Sequence, residues 1–181
     1  ISSGLIETGG TMDSKGGNMG FDLYGLNKQK GETYFRSNVW GWRPIWKLVT
    51  QFCDDILDAE EIKRGNYNDM VKIDGAKSIM LATRLQSLLD DGTLKEMCDV
   101  YETNRNKEVK AEEILMKALD AWTTEQGASC GNDLSPPEKE IWEVMYHKIK
   151  YDSDASYPMD LELLKEFSDF CEESDQGFKI G

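Results

Sequence analysis

YFRSNVWGWRPIW, residues 34–46, gathers five aromatic rings, two arginines, an asparagine and a proline into one short run. Just upstream, FDLYGLN (21–27) and ETYFR (32–36) flank NKQKG, whose asparagine, lysine and glycine content is that of a turn. The two segments read as a short hairpin. Downstream, Pro44 suits the first turn of a helix, and Ile45, Trp46, Leu48, Val49, Phe52, Cys53, Ile56 and Leu57 recur at helical spacing. The run thus lies where a hairpin hands over to an amphipathic helix at about 44–57, and it ties a sheet to a helical core.

Further along, Asp58 and Glu61 make an N-cap and N3 pair for a one-turn helix that Gly65 ends. VKI (71–73) has the make-up of a short strand. Asp74 then caps a helix running to Gly92, with Ile79, Met80, Leu81, Leu85, Leu88 and Leu89 as its stripe. Thr93 opens a helical stretch through Leu94, Met97, Cys98 and Tyr101 that weakens near TNRNK (103–107). It resumes through Ile114, Leu115, Ala118, Leu119 and Trp122 up to Gly127, as one long helix or two. ASCGNDLSPP (128–137) is a loop. Ser135 and Glu138 then form a capping box for a helix of about three turns carrying Ile141, Trp142, Met145 and Ile149. After a second loop, YDSDASYP, Asp160 caps a last helix with Leu161, Leu164, Phe167, Phe170 and Cys171 buried, and the closing GFKI is a period-2 fragment that can pair with VKI. The expected class is α+β, mainly α. Five or six helices surround one core, with a small antiparallel sheet built on the N-terminal hairpin.

Hydrophobic residues at 39% and charged residues at 30% fit one globular unit, and 181 residues fit one core. We take residues 19–181 as a single globular domain. Residues 1–18, glycine-rich and lacking a signal peptide's apolar stretch, read as a flexible leader or tag-like segment with Met12 or Met19 as natural starts. No apolar run approaches the roughly 18 residues of a spanning helix, so a cytoplasmic protein without membrane contact is expected. Cys53, Cys98, Cys130 and Cys171 are widely spaced with no C-x-x-C pair, which suits reduced thiols and implies neither a disulfide frame nor a metal.

Net charge is −13, unevenly spread: residues 1–92 hold 13 acids and 11 bases, residues 93–181 hold 21 and 10. Such a field repels phosphate backbones, and no basic patch offsets it, so direct nucleic-acid binding is not expected and a basic protein is the natural partner.

The best site candidate is the opening run itself. Trp40, Trp42 and Trp46 offer flat faces, and in a pocket assigned to Arg36, Asn38, Trp40, Trp42 and Arg43 the polar groups can fix a planar or anionic small ligand through bidentate bonds and cation–π contact. The competing reading puts the rings in the core, with the arginines snorkelling over them. Other motifs fall short. His147, the single histidine, has Glu143 one turn earlier, a plain helix-surface pair without a nucleophile or oxyanion hole. Counted from Asp152, the loop puts Tyr157 and Leu163 where an EF-hand needs glycine and glutamate. No phosphate loop, nucleophile elbow, H-E-x-x-H or kinase signature occurs. No catalytic residue, metal or cofactor is therefore assigned.

The stretches MGFDLYGLN (19–27), YFRSNVWGWRPIW (34–46), GNYND (65–69), YPMDLELLKEFSDF (157–170) and GFKI (177–180) together resemble a family of small bacterial and bacteriophage proteins. Its pattern runs G-F-D-V-Y-G-L-N, Y-F-R-N-N-V-W-W-W-R-P-L-W and, at the end, Y-P-F-x-x-E-N-V-x-E-F-A-x-F with G-G-F-x-I. Many members carry two central C-x-x-C-x-G-x-G-like knuckles that would suit zinc, but here the middle has only Cys130, and one thiol makes no tetrahedral site. The resemblance implies a bacterial or phage origin without assigning an activity.

These readings order three hypotheses. The first is a non-enzymatic binding or accessory protein using the tryptophan and arginine residues as its pocket. The second is an acidic inhibitor or nucleic-acid mimic that occupies a basic protein, and the third an enzyme acting on a small anionic ligand.

Overall fold

A computed structural model describes residues 20–27, 33–151 and 157–181. The 1–18 segment, most of the NKQKG turn and the acidic positions 152–156 lie outside the described residues.

Strands β1 (Gly20–Gly25) and β2 (Tyr34–Asn38) pair antiparallel, as the hairpin reading requires. Helices α1 (Val39–Phe52) and α2 (Ala59–Gly65) follow, then β3 (Val71–Asp74) leads into α3 (Gly75–Asp90). The chain continues through α4 (Thr93–Glu125), a 3₁₀ turn at Gly131–Asp133, α5 (Pro136–Tyr151), α6 (Leu161–Glu173) and β4 (Gly177–Ile180). The sheet order is β2-β1-β4-β3, antiparallel throughout. β4 does pair with β3, but it also pairs with β1, so the last four-residue strand closes the middle of the sheet. Gly177 makes that entry possible: its φ is +96°, and a Cβ would lie 2.4 Å from the Ile73 carbonyl oxygen. The result is a mainly helical α+β fold.

Alternation decides the faces of the sheet. Phe21, Leu23, Phe35, Val71, Ile73, Phe178 and Ile180 point to the inner face and are buried. Asp22, Tyr24, Tyr34 and Arg36 point the other way. Against the inner face, Trp42 stacks on Phe21 (5.4 Å between centroids) and on Trp46 (5.3 Å), and Phe167 meets both indoles edge-on. Each buried indole N–H finds an acceptor, Trp42 donating to the Gly65 carbonyl at 2.8 Å and Trp46 to that of Ile62 at 3.0 Å. Gly65 has to be glycine for this packing, because a Cβ there would lie 2.3 Å from the Trp46 ring.

Local capping places the helices. Asp58 accepts from Glu61 N while Glu61 returns a bond to Asp58 N, a complete capping box, and Lys77 donates to both Glu61 oxygens at 2.8 Å. Asp74 accepts from Lys77 N, and Asp160 from Glu162 N and Leu163 N. One boundary corrects the sequence reading. The first helix begins at Val39 and ends at Phe52, not about 44–57, because the Asn38 side chain accepts from Gly41 N and starts the helix earlier, leaving Pro44 inside it. The chain then turns at Ile56 and Leu57, whose N–H groups both donate to the Cys53 carbonyl.

α4 is unbroken through TNRNK and about 50 Å long. Its first turns join the core through Leu94 and Cys98. Its far half leaves that core and packs with α5, so the helices around the main core are the expected five, α1, α2, α3, α6 and the start of α4, with α5 standing outside it. We call the sheet with α1, α2, α3, α6 and the start of α4 the body, and residues 104–151 the arm. The arm's own buried set is small: Leu119, Thr123, Ala128, Gly131, Leu134 and Ile149. Among the described residues no helix is long and apolar enough to cross a membrane.

Candidate functional site

The five residues of the expected pocket do not converge. Asn38 is committed as the α1 cap. Arg36 stands on the outer sheet face, its Nε 3.6 Å from Asp22 Oδ1, beside the Tyr34 hydroxyl that donates to the same carboxylate and so has its own pKa raised. Trp42 is fully buried on the opposite face, its rings taken up by Phe21, Phe35, Trp46 and Phe167, and it shows nothing to solvent. The two-residue period of β2 separates Arg36 from Trp42, since Phe35 must point in for its neighbour to point out.

Trp40 and Arg43 remain, both exposed on α1. Trp40 is 53% accessible and lies against Tyr157, with centroids 4.5 Å apart at 35°. Tyr157 is held in place from α4, where the Tyr101 hydroxyl donates to its carbonyl at 2.8 Å. At the next position, Glu102 accepts from Met159 N at 2.8 Å and from Arg105. The segment 157–160 is thereby fixed across the first half of α4, and its tyrosine ring extends the indole surface.

Below this pair, a shallow groove of about 180 Å³ runs between α1 and α4, lined by Pro44, Lys47, Leu48, Met97, Tyr101 and Met159. Positions 40, 43, 44 and 47 share one flank of α1 by helical spacing, so Arg43 and Lys47 stand beside the aromatic pair. Neither cation has an ion-pair partner among the described residues; Lys47 shares this with most of the lysines, but Arg43 stands apart from Arg36, Arg64, Arg84 and Arg105, which are all paired. Sequence reasoning misses Lys47, Tyr101, Tyr157 and Met159. The first was legible as the residue two helical turns after Trp40; the others reach the site only through tertiary packing.

The chemistry this surface offers is stacking, apolar contact and two positive charges. Burial pushes the Cys53 and Cys98 thiols up to about 11 and Cys171 well above its ordinary value, so these three stay protonated at neutral pH and supply no thiolate. Among the described residues no cluster of three or more histidine, cysteine or carboxylate side chains could hold a metal ion. Comparison of the chain with protein-family models, with curated proteins and with solved structures returned no match.

Proposed function

We propose that the protein is a non-enzymatic binding or accessory protein of bacterial or phage origin, whose site is the α1–α4 groove headed by Trp40 and Tyr157. Of the residues first considered, Trp40 and Arg43 belong to this site, joined by Lys47, Tyr101 and Met159. The ligand class is a planar anion or an aromatic group bearing a negative charge. It would stack on the paired rings while Arg43 and Lys47 meet its charge.

One observation carries this reading: in a chain of net charge −13, two cations without ion-pair partners among the described residues flank a half-exposed tryptophan. Exposed indole area is costly to leave in water, and a local positive rim in an acidic field selects anions. Screening planar anions, nucleotides among them, by thermal shift and tryptophan quenching tests it. A binder should raise the melting temperature and quench Trp40. Arg43→Ala and Trp40→Ala should each weaken binding by about tenfold or more, the loss of one charge-assisted bond or one stacked ring. Binding that is unchanged in both variants would reject the groove as the site.

A second reading, an acidic inhibitor of a basic protein, is favoured by the placement of the acids. Residues 152–181 hold nine acids and two bases, five of those acids on α6. Glu162, Glu166, Asp169, Glu172 and Glu173 are all exposed. That surface would give association that falls steeply with salt and is lost on charge reversal of α6.

A further inference from the structure

We propose that the arm is a self-association module: two copies of this chain dock through its open face and complete a four-helix bundle. An antiparallel helix pair has two flat faces, and in compact bundles at least one is covered by another helix. In the arm, one face is covered by nothing among the described residues. Leu115 and Met145 line a groove of about 510 Å³ between α4 and α5 and are 50% and 44% exposed. Ile114, Ile141 and Val144 widen the apolar surface on either side and are more than half exposed. Polar helix faces are ordinary, but five large aliphatic side chains left open on one short pair of helices are more than scattered surface residues, and such exposed apolar area marks an interaction surface.

The occupant follows from charge. Residues 104–151 hold nine acids and seven bases, a balance of −2, so the remaining residues carry −11 of the total −13. A strongly basic partner would be drawn to the body and gains little at the arm. A second copy, in contrast, is repelled everywhere except at the arm, where both signs are interspersed and the two acidic bodies can point apart. A face meeting its own copy across a two-fold axis is also the commonest closed arrangement.

The size fits a dimer of modest strength. α5 is 16 residues, about 24 Å long, and two helices side by side span about 20 Å. Joining two such faces removes at least roughly 1,000 Å² in projection, near the approximately 1,200 Å² at which specific interfaces begin. The dimer should therefore come apart on dilution.

Sedimentation velocity of the full chain, over a concentration series at low and high salt, tests this directly. The expected result is a monomer that converts to a dimer as concentration rises, with the transition moving to lower concentration in high salt, because screening removes the repulsion of the acidic bodies while leaving apolar burial intact. Leu115→Glu and Met145→Glu, both at half-exposed positions, should each shift the transition at least tenfold higher, with helical content by circular dichroism unchanged. Met80→Glu, at an exposed apolar position on α3, should leave it where it is. A monomer at every concentration and salt overturns the proposal. So does a dimer that survives both arm substitutions, or one that high salt dissociates.

Discussion

Body and arm both carry helices with an apolar stripe, more sharply segregated on α1 and α6 of the body than on α4 and α5, and the two regions end up differently covered. In the body, Trp42, Ile45, Trp46, Leu81, Leu85, Leu164 and Phe167 are sealed between the sheet and three helices, although Trp40, Tyr67, Met70 and Met80 stay exposed at its periphery. In the arm, two helices have only each other. Among the described side chains of α5 only Ile149 is buried, and Trp142 and Tyr146, stacked at 4.8 Å, are half-covered. A helical stripe therefore fixes which face of a helix is apolar without fixing whether the fold supplies a cover for it. The body holds itself together; the arm is left with surface to spare.

Truncation to alanine of a buried side chain in each region gives the largest contrast. Trp46→Ala removes a buried indole, its hydrogen bond to Ile62 and its contact with Gly65, and should cost about 3–5 kcal/mol in global unfolding by denaturant. Leu119→Ala in the arm should cost about 2 kcal/mol, because a two-helix layer can relax around the gap. Equal losses at both sites would erase the distinction between the regions.

A smaller effect should come from the ion pair that joins α2 to α3. Lys77→Met leaves the Glu61 carboxylate, only 8% exposed as a residue, without its cation and should cost about 1–3 kcal/mol. The hydrogen bond to Glu61 raises the Lys77 pKa above its ordinary 10.5. A raised folded-state value means that this stabilisation is fully present below pH 10.5 and is lost as pH climbs through the higher folded value. The alkaline limb of the wild-type stability profile should accordingly flatten in Lys77→Met. An unchanged limb would show that the pair contributes nothing to the body.

Much of this was legible in the residues, and the pattern of what was not is informative. Asp58 with Glu61, Asp74 and Asp160 declare their helices through bonds made within three residues, so they read directly from the chain. The hairpin and the VKI and GFKI strands read correctly for the same local reasons, whereas the central place of β4 is a matter of long-range pairing. The start of α1 misleads because proline at the first helical turn is a strong signal, yet Asn38, the residue before the helix, caps it first. Of the expected site, only Trp40 and Arg43 are exposed on the flank of α1 whose next residues, Pro44 and Lys47, line the groove. Residue type identifies rings and cations but not the side of the sheet or helix on which packing leaves them, and Tyr157 meets Trp40 only in the folded chain.

The smallest effect separates structure from site within that same run. Asn38→Ala should lower stability by about 1 kcal/mol through loss of the cap, and Asn38→Asp should restore it. Ligand affinity should be the same in both variants and wild type, since the Asn38 side chain is committed to Gly41 N and does not line the groove. A fall in affinity without loss of stability would return Asn38 to the binding surface.

Native-state amide hydrogen exchange at low and high protein concentration tests the central contrast most directly, because it reports opening free energies region by region. The expected result is that β1, α1, α3 and α6 share the slowest exchange at both concentrations. α5 and the far half of α4 should open more cheaply when dilute and become protected as concentration rises. Uniform protection across body and arm, independent of concentration, would contradict the account.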